Sequence, residues 1–156
     1  MSIEIKRLDG TVLKTVPGVS LAHANLAYAD LGNADLAHKN MVCADLVYAD
    51  LTHADLTDVT LAYANLVHAN MAGANLAGAY LKYANLAYTN LTGANLAGAN
   101  LEYVNLARAD LTEAHLAGVK RHAVGAARGD RWEGGASVAS TRWDDPGGSA
   151  LGRSGG

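Results

Sequence analysis

The chain contains no phenylalanine, only two prolines and two tryptophans, and a single cysteine among its 156 residues. One cysteine excludes a disulfide framework and any zinc site built from thiolates alone. No apolar run approaches the roughly 18 residues that a membrane-spanning helix needs, and the N-terminal sequence MSIEIKRLDG has no apolar stretch of signal-peptide length. The net charge of −3 favours neither a DNA-binding protein nor a polyanion. We therefore expect a soluble cytoplasmic protein whose core consists of leucine and alanine.

What the sequence has in abundance is a five-residue repeat. From Leu21 to Leu116 every fifth residue is leucine, except for Met41 and Met71. Alanine usually stands two positions before each of them, with Lys39, Thr89 and a few valines as the exceptions, and Asn or Asp usually lies between the two. Leucines five residues apart would spread around a whole α-helix, and in a flat strand they would alternate between the two faces. The spacing instead predicts three extended residues followed by a corner, so that the chain coils and every Leu and Ala points inward.

The outward position two residues after each leucine indicates how many sides the coil has. Sampled at every fourth unit, this position gives four columns in which tyrosine and glycine do not mix. Tyrosine occupies two adjacent columns, at Tyr28, Tyr48 and Tyr88 and at Tyr63, Tyr83 and Tyr103. Sampling at every third unit would mix the two residue types. We therefore predict a four-sided coil, with about five coils in residues 19–118.

Stretches such as ANLAYADLGNADL and ANLAGANLEYVNLARADL resemble the pentapeptide-repeat family, whose pattern is A(D/N)LXX. The resemblance covers residues 19–118 and implies an all-β fold, a right-handed quadrilateral β-helix. Some relatives are dimeric rods that imitate DNA and bind DNA gyrase, protecting it from quinolones. The resemblance therefore permits such a role for this chain.

The two ends of a solenoid expose apolar side chains and unpaired strand edges, so each end needs a cap. Residues 1–18 are predicted to form an N-terminal β-hairpin cap with a two-residue turn at Asp9-Gly10. Residues 119–156, rich in Gly, Ser and Arg, are predicted to form a mostly disordered tail. Trp132 or Trp143 folding back onto the last coil, or a homodimer through this uncapped coil, would cover the C-terminal end.

Two polar residues stand at inward alanine positions, and one polar position recurs in most units. An unpaired ammonium group inside the coil would be costly, so we expect a local distortion that carries Lys39 to solvent near Asp35 or Asp58. Thr89 fits if its hydroxyl group bonds to the backbone. The Asn and Asp residues of the repeat are expected to bond their own backbone near the corners.

No catalytic constellation emerges, and we expect no enzymatic activity, cofactor or metal site. Ser20 is the only serine in the repeat region, so a Ser-His-Asp triad lacks its nucleophile. The glycines follow the five-residue spacing and form no phosphate-binding loop. His23 and Cys43 are predicted neighbours on one side of the coil, but a zinc site needs three or four ligands.

The two tyrosine columns are the first candidate surface. They have two interpretations: stacked pairs that stabilise neighbouring coils, or an amphipathic surface for an unknown protein partner or for self-association. We predict a non-enzymatic structural or protein-interaction module without membrane contact or direct nucleic-acid binding.

An acidic patch in the first two coils is the second candidate surface. It comprises Asp30, Asp35, Asp45, Asp50, Asp55 and Asp58. This patch favours the alternative function, a DNA mimic that binds DNA gyrase, but it is short and the later coils are rich in Asn, Gly and Tyr. The alternative therefore ranks second.

Overall fold

The structure, a computed structural model, describes residues 1–121. Its strands are β1 (Ser2–Arg7), β2 (Val12–Pro17) and β3 (Ala34–Asp35). They form one antiparallel sheet in the order β2-β1-β3. The tail predicted for residues 119–156 lies outside the described residues from position 122 onward, as do both tryptophans.

The fold repeats every four units, as predicted. Each Asn/Asp position makes a parallel bridge with the equivalent position four units further along, from Asn25 with Asp45 to Asn100 with Lys120. Four five-residue units therefore complete one coil. Coils 1 to 5 comprise residues 21–40, 41–60, 61–80, 81–100 and 101–120.

Backbone hydrogen bonds join each coil to the next. The N–H of Leu26 donates to the C=O of Asp45 at 2.7 Å, and the N–H of Asp45 donates to the C=O of Ala24 at 2.9 Å. Equivalent bonds recur on all four sides. Since the two partners of every such bond lie about one full coil apart in sequence, each coil depends on its neighbours for its hydrogen bonds.

The interior is a stack of leucine side chains. Every Leu and Met of the repeat is buried, and the most exposed of them, Leu101, has only 3% of its surface accessible. The predicted inward orientation is confirmed. Thr89 is 1% exposed and its Oγ1 donates to the C=O of Leu66 at 2.9 Å, as predicted.

Lys39 behaves partly as predicted. Its side chain is exposed and borders the same surface depression as Asp35. The predicted distortion of the coil is wrong, because the N–H of Lys39 still donates to the C=O of Leu36 at 3.2 Å and its C=O accepts from Thr60 at 3.0 Å. Lys39 belongs to coil 1, which has no coil beneath it, so its side chain reaches solvent while the backbone keeps the regular path.

The hairpin of β1 and β2 closes the N-terminal end. Ile5 and Val16 are 1% and 8% exposed and join the core, and β1 pairs with β3 of coil 1. The predicted two-residue turn is wrong. The C=O of Arg7 accepts from Gly10 at 2.9 Å and the N–H of Arg7 donates to Thr11 at 2.8 Å. These bonds enclose a three-residue loop, in which Gly10 supplies the positive φ of +89°.

Candidate interaction surface

Each corner places the residue two positions after leucine in the left-handed region of backbone space. In the unit of Leu26, the C=O of that leucine accepts from the N–H of Ala29 at 3.1 Å, and Tyr28 between them has a φ of +59°. This conformation costs a non-glycine residue roughly 1–2 kcal/mol. It is held because the N–H of Tyr28 donates to the C=O of Val47 in the next coil at 2.8 Å. The side chain therefore projects outward at the same place in every coil.

The long ladder consists of Tyr28, Tyr48, His68 and Tyr88, one ring from each of coils 1 to 4. Successive ring centroids are 5.3, 4.7 and 4.8 Å apart, and the rings are stacked with interplanar angles of 8° to 25°. The guanidinium of Arg108 continues the ladder into coil 5, at 5.6 Å from the ring of Tyr88. His68 and Arg108 were not among the predicted residues of the candidate surface, although their position in the four-unit register places both in the column of Tyr28, Tyr48 and Tyr88.

The short ladder consists of Tyr63, Tyr83 and Tyr103, whose ring centroids are 4.9 and 5.0 Å apart. Lys82 lies beside it, with its Nζ atom 5.4 and 5.6 Å from the rings of Tyr83 and Tyr103. The same atom pairs with Glu102 at 3.2 Å, and the hydrogen bond to that carboxylate raises the pKa of Lys82. The pairing of Lys82 with Glu102 holds a positive charge beside the upper end of this ladder.

The two ladders flank one side of the rod, which we call the tyrosine face. The chain runs from the short-ladder column to the long-ladder column through only four intervening residues, so the ladders stand at neighbouring corners. Val47 and Val67 are half-buried between them, and Ala87 is 7% exposed. The six tyrosines of the ladders are 43% to 74% exposed. The result is a partly apolar floor bordered by two rows of exposed, stacked rings.

The Asn and Asp residues of the repeat bond their own backbone, as predicted. The Oδ1 atom of each accepts from the N–H two residues later, for example from Ala27 to Asn25 at 3.1 Å and from Thr52 to Asp50 at 2.9 Å. Several asparagines also link coils through their side chains. The Nδ2 of Asn90 donates to Oδ1 of Asn70 at 3.0 Å, and the Nδ2 of Asn70 donates to Oγ1 of Thr52 at 2.9 Å.

The six acidic residues of the second candidate surface do not share one side. Asp45 lies on the tyrosine face, the pair Asp30 and Asp50 on the next side, and the pair Asp35 and Asp55 on the side after that, since successive units occupy successive sides. Asp58 stands at a corner, with Oδ2 3.7 Å from Nδ1 of His38. Asp30 is also 3.8 Å from Arg7. The carboxylates therefore ring coils 1 and 2 instead of forming a stripe along the rod.

Other features of the described residues offer little chemistry. Residues 1–121 contain no cluster of three or more His, Cys, Asp or Glu side chains arranged to hold a metal ion. An open depression of about 460 Å³ lies beside the hairpin, lined by Ser2, Glu4, Lys6, Asp35 and Lys39. In the same part of the chain, no helix is long and apolar enough to cross a membrane.

The fold and its repeat define a class of protein, a right-handed β-helix with four-sided coils. Residues 18–61, 60–98 and 89–120 match the family model for pentapeptide repeats, in eight copies. The chain therefore belongs to the pentapeptide-repeat family. No curated protein matches it.

Several solved structures are similar to the chain. A pentapeptide repeat protein from Nostoc PCC 7120, alr5209, is 30% identical over 53% of this chain and 84% of that chain, with a TM-score of 0.49. AT2G44920, from the Arabidopsis thaliana thylakoid lumen, is 32% identical over 53% of each chain, with a TM-score of 0.42. A trypsin-treated form of QnrB1, a plasmid-mediated fluoroquinolone resistance protein, is 19% identical over 62% of this chain and 60% of that chain, with a TM-score of 0.23.

Proposed function

We propose that the protein is a non-enzymatic interaction module, a rod that presents the tyrosine face to a protein partner. The observation that carries this proposal is the stacking of exposed rings in register on one side of the rod. Tyrosine and arginine are enriched at protein interfaces, where charged residues are depleted from the centre. The tyrosine face has aromatic rings on both borders and Val47 and Val67 between them, and Asp45 is the one charged residue of its central columns.

Pre-ordering of the rings favours binding. Tyrosine has only two side-chain torsions, and stacking on the ring above or below already restricts both of them. Immobilising a mobile side chain at an interface costs about 0.5–1.5 kcal/mol. A partner that contacts the ladders meets rings that are already held in place, so little of this cost arises on binding.

The proposal includes a location in the cytoplasm. Cys43, the single cysteine of the chain, is exposed with a free thiol. Cytosolic thiols are kept reduced, whereas oxidising compartments favour disulfides. Fractionation of the native cell with an antibody against the chain tests the location, and recovery from an extracytoplasmic compartment would contradict it.

Affinity capture from the native cell, with two matched variants, tests the interaction. In the first variant, all six ladder tyrosines are replaced by serine. In the control variant, the exposed Tyr80 and the exposed Val19, which lie outside both ladders, are replaced by serine. We expect a partner retained by the wild-type and control chains to be lost from the ladder variant. Equal recovery with all three chains would refute the tyrosine face as the partner surface.

The acidic ring favours a second candidate function, DNA mimicry toward DNA gyrase. Asp30 and Asp50, and likewise Asp35 and Asp55, face each other across adjacent coils. Phosphates repeat continuously along a DNA strand, at about 3.4 Å of helix axis per nucleotide. In this chain, Asn70 and Asn75 follow Asp50 and Asp55, so each pair of carboxylates ends after two coils. A gyrase supercoiling assay decides this question. If the protein in excess neither inhibits gyrase nor protects it from quinolones, the second candidate is removed.

A further inference from the structure

Resting on the proposed function, we propose that one partner of the tyrosine face is a second copy of this chain. The two rods lie antiparallel and face to face, related by a two-fold axis at the level of coil 3. The axis lies in the interface and runs perpendicular to the rods, so the long ladder meets its own copy in reverse order. In the column of the short ladder, Tyr63 meets its own copy, while Tyr83 and Tyr103 face Cys43 and His23 of the other copy. Coil 1 then faces coil 5 of the other copy, and coil 2 faces coil 4.

The spacing of the rungs favours a partner built from β-strands, and a second copy is such a partner. The rings of both ladders repeat every 4.7 to 5.3 Å. Only a partner with the same repeat stays in register with the rings over several coils. A second copy has that repeat by construction, because its coils are spaced by the same backbone hydrogen bonds.

The exposed ring area is sufficient for a small interface. A tyrosine buries on the order of 200 Å² when fully covered, so six rings at 43% to 74% exposure present roughly 600 Å² per chain. Two copies together would bury about 1,200 Å², the lower limit for a specific association. The valines between the ladders add to this area.

In the antiparallel arrangement, each position of the long ladder faces a compatible residue of the other copy. In the antiparallel arrangement Arg108 meets Tyr28, the most exposed ring of the ladder at 74%. No ring lies below Tyr28 in coil 1, so its face is open to a guanidinium group. Tyr48 meets Tyr88, and His68 meets the His68 of the other copy on the two-fold axis.

The charge distribution favours the antiparallel over the parallel arrangement. Residues 19–60 carry six acidic side chains and one basic one, a net charge of −5. Residues 61–121 carry four basic and three acidic side chains, a net charge of +1. Most of these acidic residues lie on other sides of the rod, and Asp45 is the one on the tyrosine face. Parallel rods would place the two Asp45 side chains at the same level, whereas antiparallel rods place each of them against Asn85 of the other copy.

A residue on a two-fold axis gives the sharpest test. Because His68 meets its own copy, His68→Glu and His68→Lys should both place like charges opposite each other. We expect sedimentation velocity to show a micromolar dimer for the wild-type chain and weakening by about tenfold or more for each variant. An equimolar mixture of the two variants should recover the dimer, since opposite charges then face each other.

Controls separate folding from association. Tyr80→Glu and Tyr80→Lys change an exposed residue outside the tyrosine face and should leave the dimer unchanged. Circular dichroism should show the wild-type β signal for all four variants. His68→Ser keeps the site uncharged and should weaken the dimer less than either charged variant, so the effect of charge is measured separately from the loss of the ring.

Three outcomes overturn the proposal. A wild-type chain that stays monomeric at a concentration roughly a hundred times the expected micromolar Kd forms no such dimer. If only one of the variants His68→Glu and His68→Lys weakens the dimer, the two-fold contact at His68 is excluded. Equal weakening by the Tyr80 variants places the contact on another surface or at an end of the rod. A monomeric wild-type chain that still captures a partner through the ladders would refute the dimer and leave the proposed function standing.

Discussion

The leucine ladders inside the rod and the tyrosine ladders outside it share one register and differ in what constrains them. Inside, leucine or methionine fills every level, and none is more than 3% exposed. Outside, the long-ladder column changes from Tyr to His to Arg while its rings remain stacked. Exclusion of water allows little choice of residue in the interior, whereas the outer column needs only flat side chains. The outer surface is therefore where a sequence of this class can acquire a specific role.

The strongest test of this contrast introduces an aspartate inside the rod and, in a second variant, an aspartate on its outer surface. Leu61→Asp places an unpaired charge in the interior, which costs several kcal/mol in addition to about 2 kcal/mol of lost leucine burial. We expect thermal unfolding followed by circular dichroism to show loss of several coils. Tyr63→Asp, two residues away and exposed, should lower stability by less than about 1 kcal/mol. A wild-type melting temperature for Leu61→Asp would refute the inward assignment.

A second test concerns the left-handed corner position. Gly93 has a φ of +65° and open space around its Cα atom, so Gly93→Ala should cost about 1 kcal/mol through backbone strain alone. Gly32 lies one position earlier in its unit, without a positive φ, and an added Cβ would make ordinary contacts with Oδ1 of Asp30 at 3.5 Å and the C=O of Thr52 at 3.9 Å. Gly32→Ala should therefore be neutral or slightly stabilising. Urea unfolding compares the two, and equal effects would contradict the corner argument.

A third test removes the polar group inside the core. Thr89→Val keeps the shape of the side chain and loses the hydrogen bond to Leu66. We expect a loss of about 1 kcal/mol, because the carbonyl of Leu66 still accepts from the N–H of Ala69 at 2.9 Å. Urea unfolding measures this loss, and an increase in stability would show that the hydroxyl group is only tolerated.

The smallest expected effect is a pH dependence at the outer surface. Hydrogen bonds from the side chain and backbone of Thr112 lower the pKa of Asp110. A lowered pKa in the folded state stabilises the protein above the unfolded-state pKa of about 4, and this contribution is lost as the pH falls through the folded-state value. Asp110→Asn should therefore make the decline in melting temperature below about pH 4 shallower. An unchanged pH profile would mean that the carboxylate contributes nothing to stability.

Much of the fold could be predicted because burial imposes a period on the sequence. The leucine spacing predicted the interior, and the separation of tyrosine from glycine predicted a four-sided coil. Local turn chemistry was harder: Asp9-Gly10 belongs to a three-residue loop, because Arg7 bonds both Gly10 and Thr11. The pairing of β1 with β3 joins segments that are distant in sequence, Lys6 with Asp35, and has no periodic signal.

The candidate surface was predicted less completely than the core. The ladders were predicted from their tyrosines alone, yet His68 stacks as closely as any tyrosine. Its ring centroid lies 4.7 and 4.8 Å from those of Tyr48 and Tyr88. The glycines that stand at the same position of other units, such as Gly93 and Gly98, could have indicated a positive φ there. For histidine or tyrosine this conformation is energetically unfavourable in an isolated chain. That conformation depends on the hydrogen bond to the next coil, a property of the assembled rod.

The register of four units per coil also sets how the molecule can change in length. Insertion of four whole units between two coils would lengthen the rod by one coil, and every column above the insertion would stay aligned with the column below it. Insertion of a single pentapeptide would preserve the leucine interior equally well, yet would rotate everything above it by a quarter turn and divide both aromatic columns. Such a protein could fold normally and still lose its outer pattern.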